Sequence, residues 1–291
     1  LKEDCPLPIP IEDMKLGAIP EEPLAAFLQH HGFNSLLKRI GHVANTAAAN
    51  KAIAGNPKAT SKGDGAASAP VAGKAALPPA MPPIDVNTYE CVTTVDRLDH
   101  WISRAKETGL VAFDTETDSL EAVTARLVGF SLAVAPGEAC YVPLGHGGTD
   151  LLAENPVQIP FAEALARLKP LLVEPSILKI GQNLKYDISV LAQHDLTIAP
   201  YDDTMVMSFD LDAGDHGHGM DELSELYLGH KPISYKSLTG TGKSQISFAA
   251  VPVAEATKYA AEDADVTLRL WHHLKLRLSP DKVTTVYELV D

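Results

Sequence analysis

The apolar and polar positions fall into a globular pattern from about residue 84 onward. Tyr89 to Thr94 suits a strand, and Val95 to Thr108 suits a helix closed by Gly109. Leu110 to Thr117 predicts a strand. Leu127 to Val134 and Ala139 to Leu144 predict two more around a Pro136-Gly137 turn. Phe161 to Val173 reads as helix and Ile177 to Ile180 as a short strand. Asn183 to His194, Met220 to Leu228 and Val253 to Leu278 also read as helices. A strand cluster followed by a strand among helices implies an α/β fold, a mixed sheet covered by helices.

Before residue 84 the pattern is weaker. Residues 1–42 hold a Pro-punctuated lead and one helix with Leu24, Phe27 and Leu28 on its stripe, too little for a domain. Residues 43–83 are Ala-, Pro- and Gly-rich without an aromatic residue. Such a segment buries too little apolar surface to offset its ordering entropy, so it is expected to be a flexible linker, stiffer at its Pro-rich end. The chain opens with Leu1 in mid-pattern and reads as a fragment of something longer.

Composition narrows the class. A length of 291 residues, 45% hydrophobic and 21% charged, suits one or two soluble domains. No run approaches the roughly 18–20 apolar residues that cross a bilayer, and no secretory signal opens the chain. Cys5, Cys91 and Cys140 make no metal-type spacing and suggest a reducing cytoplasm. The net charge of −14 splits into +1 over residues 1–83 and −15 over residues 84–291. Phosphate neutralisation drives non-specific duplex binding, so an acidic domain is a poor DNA coat. A metal-dependent enzyme acting on nucleic acid remains compatible.

Three stretches carry candidate chemistry. In VAFDTETDSL, Asp114 and Glu116 are two apart on a strand and share a face, where like charges resist joint ionisation. A solvated strand end, with Asp118 and Ser119 as turn formers, is the bland account. In ILKIGQNLKYDISVL, Asn183 and Asp187 are four apart on an expected helix, beside an apolar stripe of Leu184, Ile188 and Leu191. There the bland account is an acid favouring the helix dipole. In YAAEDADVTLRL, Tyr259, Asp263, Val266 and Leu270 form one helical stripe, so Asp263 points inward. Glu262 and Asp265 lie off that stripe and read as a solvated face. Hard oxygen ligands without a His or Cys cluster favour Mg²⁺ or Mn²⁺. Two such ions stabilise the attacking and leaving oxygens of phosphodiester hydrolysis.

The motifs FDTETDSL, GQNLKYD and YAAEDAD, in that order, resemble the exonuclease motifs of the DEDD superfamily, Tyr subtype. They are most similar to the 3′–5′ proofreading domain of bacterial family A DNA polymerase I, over residues 84 to 280. The segment HGMDELSELYLGHKPISYKSLTGTGKSQISF resembles it too. The resemblance implies a ribonuclease H-like fold. Residues 1–42 resemble the C-terminal remnant of a 5′-nuclease domain without its catalytic part, and residues 281–291 the start of a truncated polymerase domain.

By the same resemblance, Asp114, Glu116 and Asp263 would hold one divalent ion. Asp114 would bridge to a second, held by Asp187. The ions are expected to be Mg²⁺ or Mn²⁺, with Zn²⁺ an alternative at one site. Tyr259 would orient the attacking water. Leu120, Gln182, Asn183, Tyr186 and Tyr235 would contact single-stranded DNA or a frayed 3′ primer end, Tyr235 standing where the family often carries Phe. Products would be 5′-mononucleotides. The expected partner is the polymerase domain of the same parent chain, a cytoplasmic, monomeric enzyme of replication and repair with no membrane association.

Other signals are set aside. GTGKS at 240–244 lacks the upstream Gly of a phosphate-binding loop, since position 237 is Ser237. His216 and His218, in a Gly-rich turn, read as solvated, and His272 and His273 as surface or dipole-favouring residues. Three rival functions stand beside the exonuclease: a DEDD nuclease acting on RNA, an inactive spacer domain, and a non-enzymatic DNA-binding module. The polymerase-like flanks argue against the first, the intact carboxylates and Tyr259 against the second, and the acidic charge against the third.

Overall fold

The computed structural model describes residues 21–30, 33, 36–37, 81–147, 156–242 and 245–290. The expected linker over 43–83 lies outside the described residues but for its last three, as do the Pro-punctuated lead and Lys243 and Ser244 of the GTGKS loop. The chain forms two compact units, residues 1–68 and 69–291. Within the first, helix α1 (Glu21–His30) is followed by Phe33, whose ring faces Phe27 at 6.4 Å.

The second unit is built on a six-stranded mixed sheet. Strand β1 (Glu90–Cys91) leads to helix α2 (Val95–Thr108). Then come β2 (Leu110–Thr117), β3 (Leu127–Ala135) and β4 (Glu138–Pro143). Helix α3 (Phe161–Val173), β5 (Leu178–Gly181), α4 (Lys185–Ala192), β6 (Tyr201–Asp203) and α5 (Thr204–Asp212) follow. Short helices α6 (Met220–Leu223) and α7 (Tyr235–Thr239) precede the long α8 (Val253–Leu278) and the closing α9 (Thr284–Val290). The strand order is β1-β4-β3-β2-β5-β6, with β2 antiparallel to β3 and parallel to β5.

Local chemistry sets several of these bounds. Thr94 caps α2 by accepting from the Arg97 N–H, and Gly109, at φ +71°, ends it in the left-handed region that glycine enters freely. On one face of the sheet, Val111 and Phe113 join Leu98, Trp101, Leu168, Val190 and other residues in the main core. On the other face, Ala112, Ala133 and Ala139 meet Ala261, Ala264 and Leu268 of α8. Small side chains on both surfaces let α8 lie close to the strands, which brings its polar groups within reach of β2.

Four expectations need correction. The strand expected over 89–94 shrinks to Glu90–Cys91, because Thr94 is committed to capping α2. The helix expected from Asn183 starts at Lys185, because Asn183 sits at φ +59°, outside helical space. The helix over 220–228 changes at Ser224 into a π-turn that Gly229 closes at φ +63°. Glu262 and Asp265 are not solvated: they are 1% and 0% exposed. Glu262 accepts from His230 Nε2 (2.8 Å) and the Ile233 N–H (2.6 Å). Asp265 accepts from Tyr89 Oη, the Gly137 N–H and Arg269 Nε. A single helical stripe could not foresee this, because α8 is covered on nearly all sides. The terminal α9 folds onto β6: Tyr287 is buried and donates to Asp202 Oδ1 at 2.9 Å. Among the described residues no helix is long and apolar enough to cross a membrane.

Candidate active site

Strand β2 turns Asp114 and Glu116 toward α8, and α8 turns Asp263 toward β2. One carboxylate oxygen from each of the three lies within 4.8 Å of the others. Glu116 and Asp263 are 6% and 5% exposed. Glu116 Oε1 and Asp263 Oδ1 are buried and accept no hydrogen bond in the protein. Buried ionised carboxylates without partners are costly, so the three groups resist ionisation. Burial pushes the pKa of each well above the usual carboxylate range. For Asp114 the neighbouring charge of Asp263 adds to this, and for Glu116 those of Asp114, Asp263 and Asp187. Hard, close-set oxygens, one each of Glu116 and Asp263 without a partner, fit a divalent cation such as Mg²⁺ or Mn²⁺.

Asp187 is brought beside this set rather than into it. It is 2% exposed, and its Oδ1 accepts from the Thr115 N–H (2.9 Å) and Thr115 Oγ1 (2.5 Å). Strand β5 pairs with β2 only from Leu110 to Ala112, so further along β2 the Thr115 N–H takes a carboxylate in place of a strand partner. Burial and the Asp114 charge raise the Asp187 pKa. Its burial overturns the bland account of an exposed acid near a helix start. Asp118 stays apart, paired with Arg126 Nε at 2.7 Å.

The Tyr259 hydroxyl hydrogen bonds to Asp263. Burial first, then the charges of Asp263, Glu116 and Asp114, push its pKa up, so it stays a protonated donor. Its ring belongs to an aromatic group with Phe248 (5.9 Å) and Tyr235 (6.2 Å), and Tyr235 stacks on Phe248 with an 11° interplanar angle. Tyr186 donates to the Ser119 carbonyl (2.6 Å) and pairs with Thr117 Oγ1 (2.5 Å), tying α4 to the end of β2. Beyond that tie Leu120 is 91% exposed. Asn183 is also exposed. Gln182 is engaged: its Nε2 donates to the His218 carbonyl (2.8 Å), and its Oε1 accepts from Thr204.

Several residues around the site carry little or no signal in the sequence. Thr115 anchors Asp187 from 72 positions away. Gln193 pins the Leu120 loop by donating to the Ala122 and Ala125 carbonyls. Asp203 and Thr204, at the start of α5, grip the Gly181–Leu184 turn. Only Asp203 had a local cue, its position as a helix cap. His216 and His218 are partly buried and not simply solvated: His218 Nδ1 lies 2.9 Å from Ser208 Oγ, and the two rings face each other at 5.2 Å. His273 is likewise partly buried, against Tyr227 at 4.6 Å.

The chain is 50% identical over 224 residues to a protein named DNA polymerase I from Rhizobium leguminosarum, a match covering 72% of this chain and 22% of that protein. It is 43% identical over 209 residues to DNA polymerase I of Pseudomonas aeruginosa, covering 69% of this chain and 22% of that protein. The chain thus spans about a fifth of the length of these relatives. Among solved structures, the catalytic core of RRP6 from Trypanosoma brucei shares the fold, with a TM-score of 0.52, 16% identity, and coverage of 68% of this chain and 50% of that one. The model of the 3′–5′ exonuclease family of A-type DNA polymerases matches residues 89–279, and the chain belongs to that family.

Proposed function

We propose that this domain removes 3′-terminal nucleotides from single-stranded or frayed DNA as 5′-mononucleotides. One observation carries the reading: three acids from β2 and α8 converge, and Glu116 and Asp263 each bring a buried oxygen that accepts no hydrogen bond. Asp114, Glu116 and Asp263 would hold one divalent cation, Mg²⁺ or Mn²⁺, and Asp114 with Asp187 a second. When bound, such ions supply Lewis-acid stabilisation of the attacking and leaving oxygens. The protein's own groups do the positioning. Tyr259, kept protonated, orients the attacking water through its hydroxyl. Tyr235 and Tyr186 offer ring faces to unpaired bases, a sequence-tolerant platform. Leu120 separates the terminal pair, and Asn183 holds the strand end. Gln182 reaches DNA by exchanging its bonds to His218 and Thr204 for the substrate. Melting is cheapest at a mismatch, which supplies selectivity.

By analogy with the relatives named DNA polymerase I, we infer a polymerase domain on the same chain, in a monomeric cytoplasmic enzyme of replication and repair. The test is a gel assay with a 5′-labelled single-stranded DNA oligonucleotide and an RNA of the same sequence. A ladder shortening from the 3′ end with Mg²⁺ and abolished by EDTA is expected, with DNA preferred. An intact DNA oligonucleotide with folded protein, in Mg²⁺ and in Mn²⁺, overturns the reading.

A further inference from the structure

The turn between β5 and α4 carries Gln182 and Asn183 and launches Tyr186 and Asp187. Its backbone is unusual: Asn183 at φ +59° is followed by Leu184 at φ −57°, ψ −18°. A left-handed residue followed by a right-handed one makes a concave pair of N–H groups that takes an anion. Here the anion is a side chain of the same protein. Asp203 Oδ1 accepts from the Asn183 N–H at 3.0 Å, and Oδ2 accepts from the Leu184 N–H at 2.7 Å. Asp203 is 8% exposed. Its carboxylate also caps α5, accepting from the N–H groups of Met205 (2.9 Å) and Val206 (3.4 Å). Thr204 reinforces the grip by donating to the Gly181 carbonyl at 3.0 Å. On the outer side, the Asp203 N–H donates to Tyr287 Oη at 3.0 Å.

We propose that Asp203 is a positioning residue of the exonuclease site, holding Asn183 in its left-handed conformation and setting where α4 begins. It is not in the set of converging acids. It acts through the turn: with Leu184 fixed, α4 starts at Lys185, which puts Tyr186 on Thr117 and Ser119 and Asp187 on Thr115. If the turn relaxed, the strand-end contacts and the second acid would shift together. The inference rests on the proposed function for its consequence and on the turn geometry for its cause.

The test separates this role from helix capping. Asp203→Ser keeps a good cap for α5 but is too short to span Asn183 and Leu184. Asp203→Asn, with one acceptor oxygen in place of two, is the second variant if the first does not fold. Binding of a 5′-fluorescein single-stranded oligonucleotide is measured by anisotropy in EDTA, and kcat/KM for cleavage in Mg²⁺. We expect a loss of about tenfold in both quantities, on the order of that seen when a metal ligand loses its outer hydrogen-bond partner. In an Asn183→Gly background the further loss should be under about threefold, because glycine takes positive φ unaided. A folded Asp203→Ser variant with wild-type binding and cleavage overturns the inference, and so does an equal loss in both backgrounds. If the wild-type protein neither binds nor cleaves, the proposed function falls. Amide exchange at Leu184 then decides the positioning role alone: protection is lost in Asp203→Ser if the inference holds and kept if it does not.

Discussion

The carboxylates at the centre of the site are in conflict when no cation is bound. Asp114, Glu116, Asp187 and Asp263 all have raised pKa values in the folded protein. Such groups contribute stability that is full below their unfolded values and lost as pH rises through their folded ones. In EDTA, the melting temperature should therefore fall as pH climbs above the ordinary carboxylate values near 4. Mg²⁺ should restore it by binding the folded state. Differential scanning calorimetry across pH, with and without Mg²⁺, checks both. Asp114→Ala should cut cleavage by about three orders of magnitude while raising the melting temperature in EDTA, since it removes a repelling charge. Normal turnover in that variant would exclude Asp114 as a ligand. Tyr259→Phe should slow hydrolysis about ten- to a hundredfold with oligonucleotide affinity intact. Lost affinity with unchanged single-turnover rate would move Tyr259 to substrate contact.

Within the elements, local patterns and long-range contacts divide the work. Helices α2, α3 and α8 and strand β2 run between the residues that spacing predicts, because their caps and breakers lie beside them in the chain. Strand β5 hides a feature that no period announces. Lys179 is fully buried there and donates from Nζ to the Glu174 (2.8 Å) and Ile177 (2.7 Å) carbonyls. Burial pushes its pKa down to about 8, against a partial opposing pull from Glu174. Between that value and the ordinary 10.5, the unfolded chain holds the proton and the folded one does not. Stability should then rise with pH across that window. The slope should be present in wild type and flattened in Lys179→Met, read from urea unfolding between pH 8 and 10.5. Parallel slopes would show that the amine stays protonated in the fold.

At the scale of the whole unit, α9 and α8 are both tied to β6. Tyr287 of α9 donates to Asp202 Oδ1 and accepts from the Asp203 N–H, and Trp271 of α8 donates to Asp202 Oδ2 at 2.6 Å. The last helix thus rests on the strand whose Asp203 supports the Asn183 turn. Tyr287→Phe leaves the buried Asp203 N–H without its partner, a loss of about 1–3 kcal/mol, while Asp202 keeps Trp271 and Lys275. Urea denaturation should report it as a lower midpoint with unchanged slope. An unchanged midpoint would show that the Tyr287 hydroxyl does not stabilise the unit. The acidic balance acts at this scale too: −15 over residues 84–291 disfavours lasting hold on duplex DNA. A site for frayed ends is compatible with weak, brief binding.

The sequence by itself determined the acids, their order and the α/β class. Spacing of two on a strand and of four on a helix is a local property, legible without knowing what packs where. It also put Asp263 on an inward stripe, and α8 buries it. Only the tertiary structure decided which oxygens meet. Asp114 and Asp263 come from elements far apart in the chain, and Asp187 finds Thr115 because β5 stops pairing with β2 at Ala112. The buried Glu262 and Asp265, the left-handed Asn183 and its support from Asp203 were equally out of reach. The reason is physical: a side chain's period assigns it a face, whereas its burial and partners depend on what the rest of the fold lays against that face.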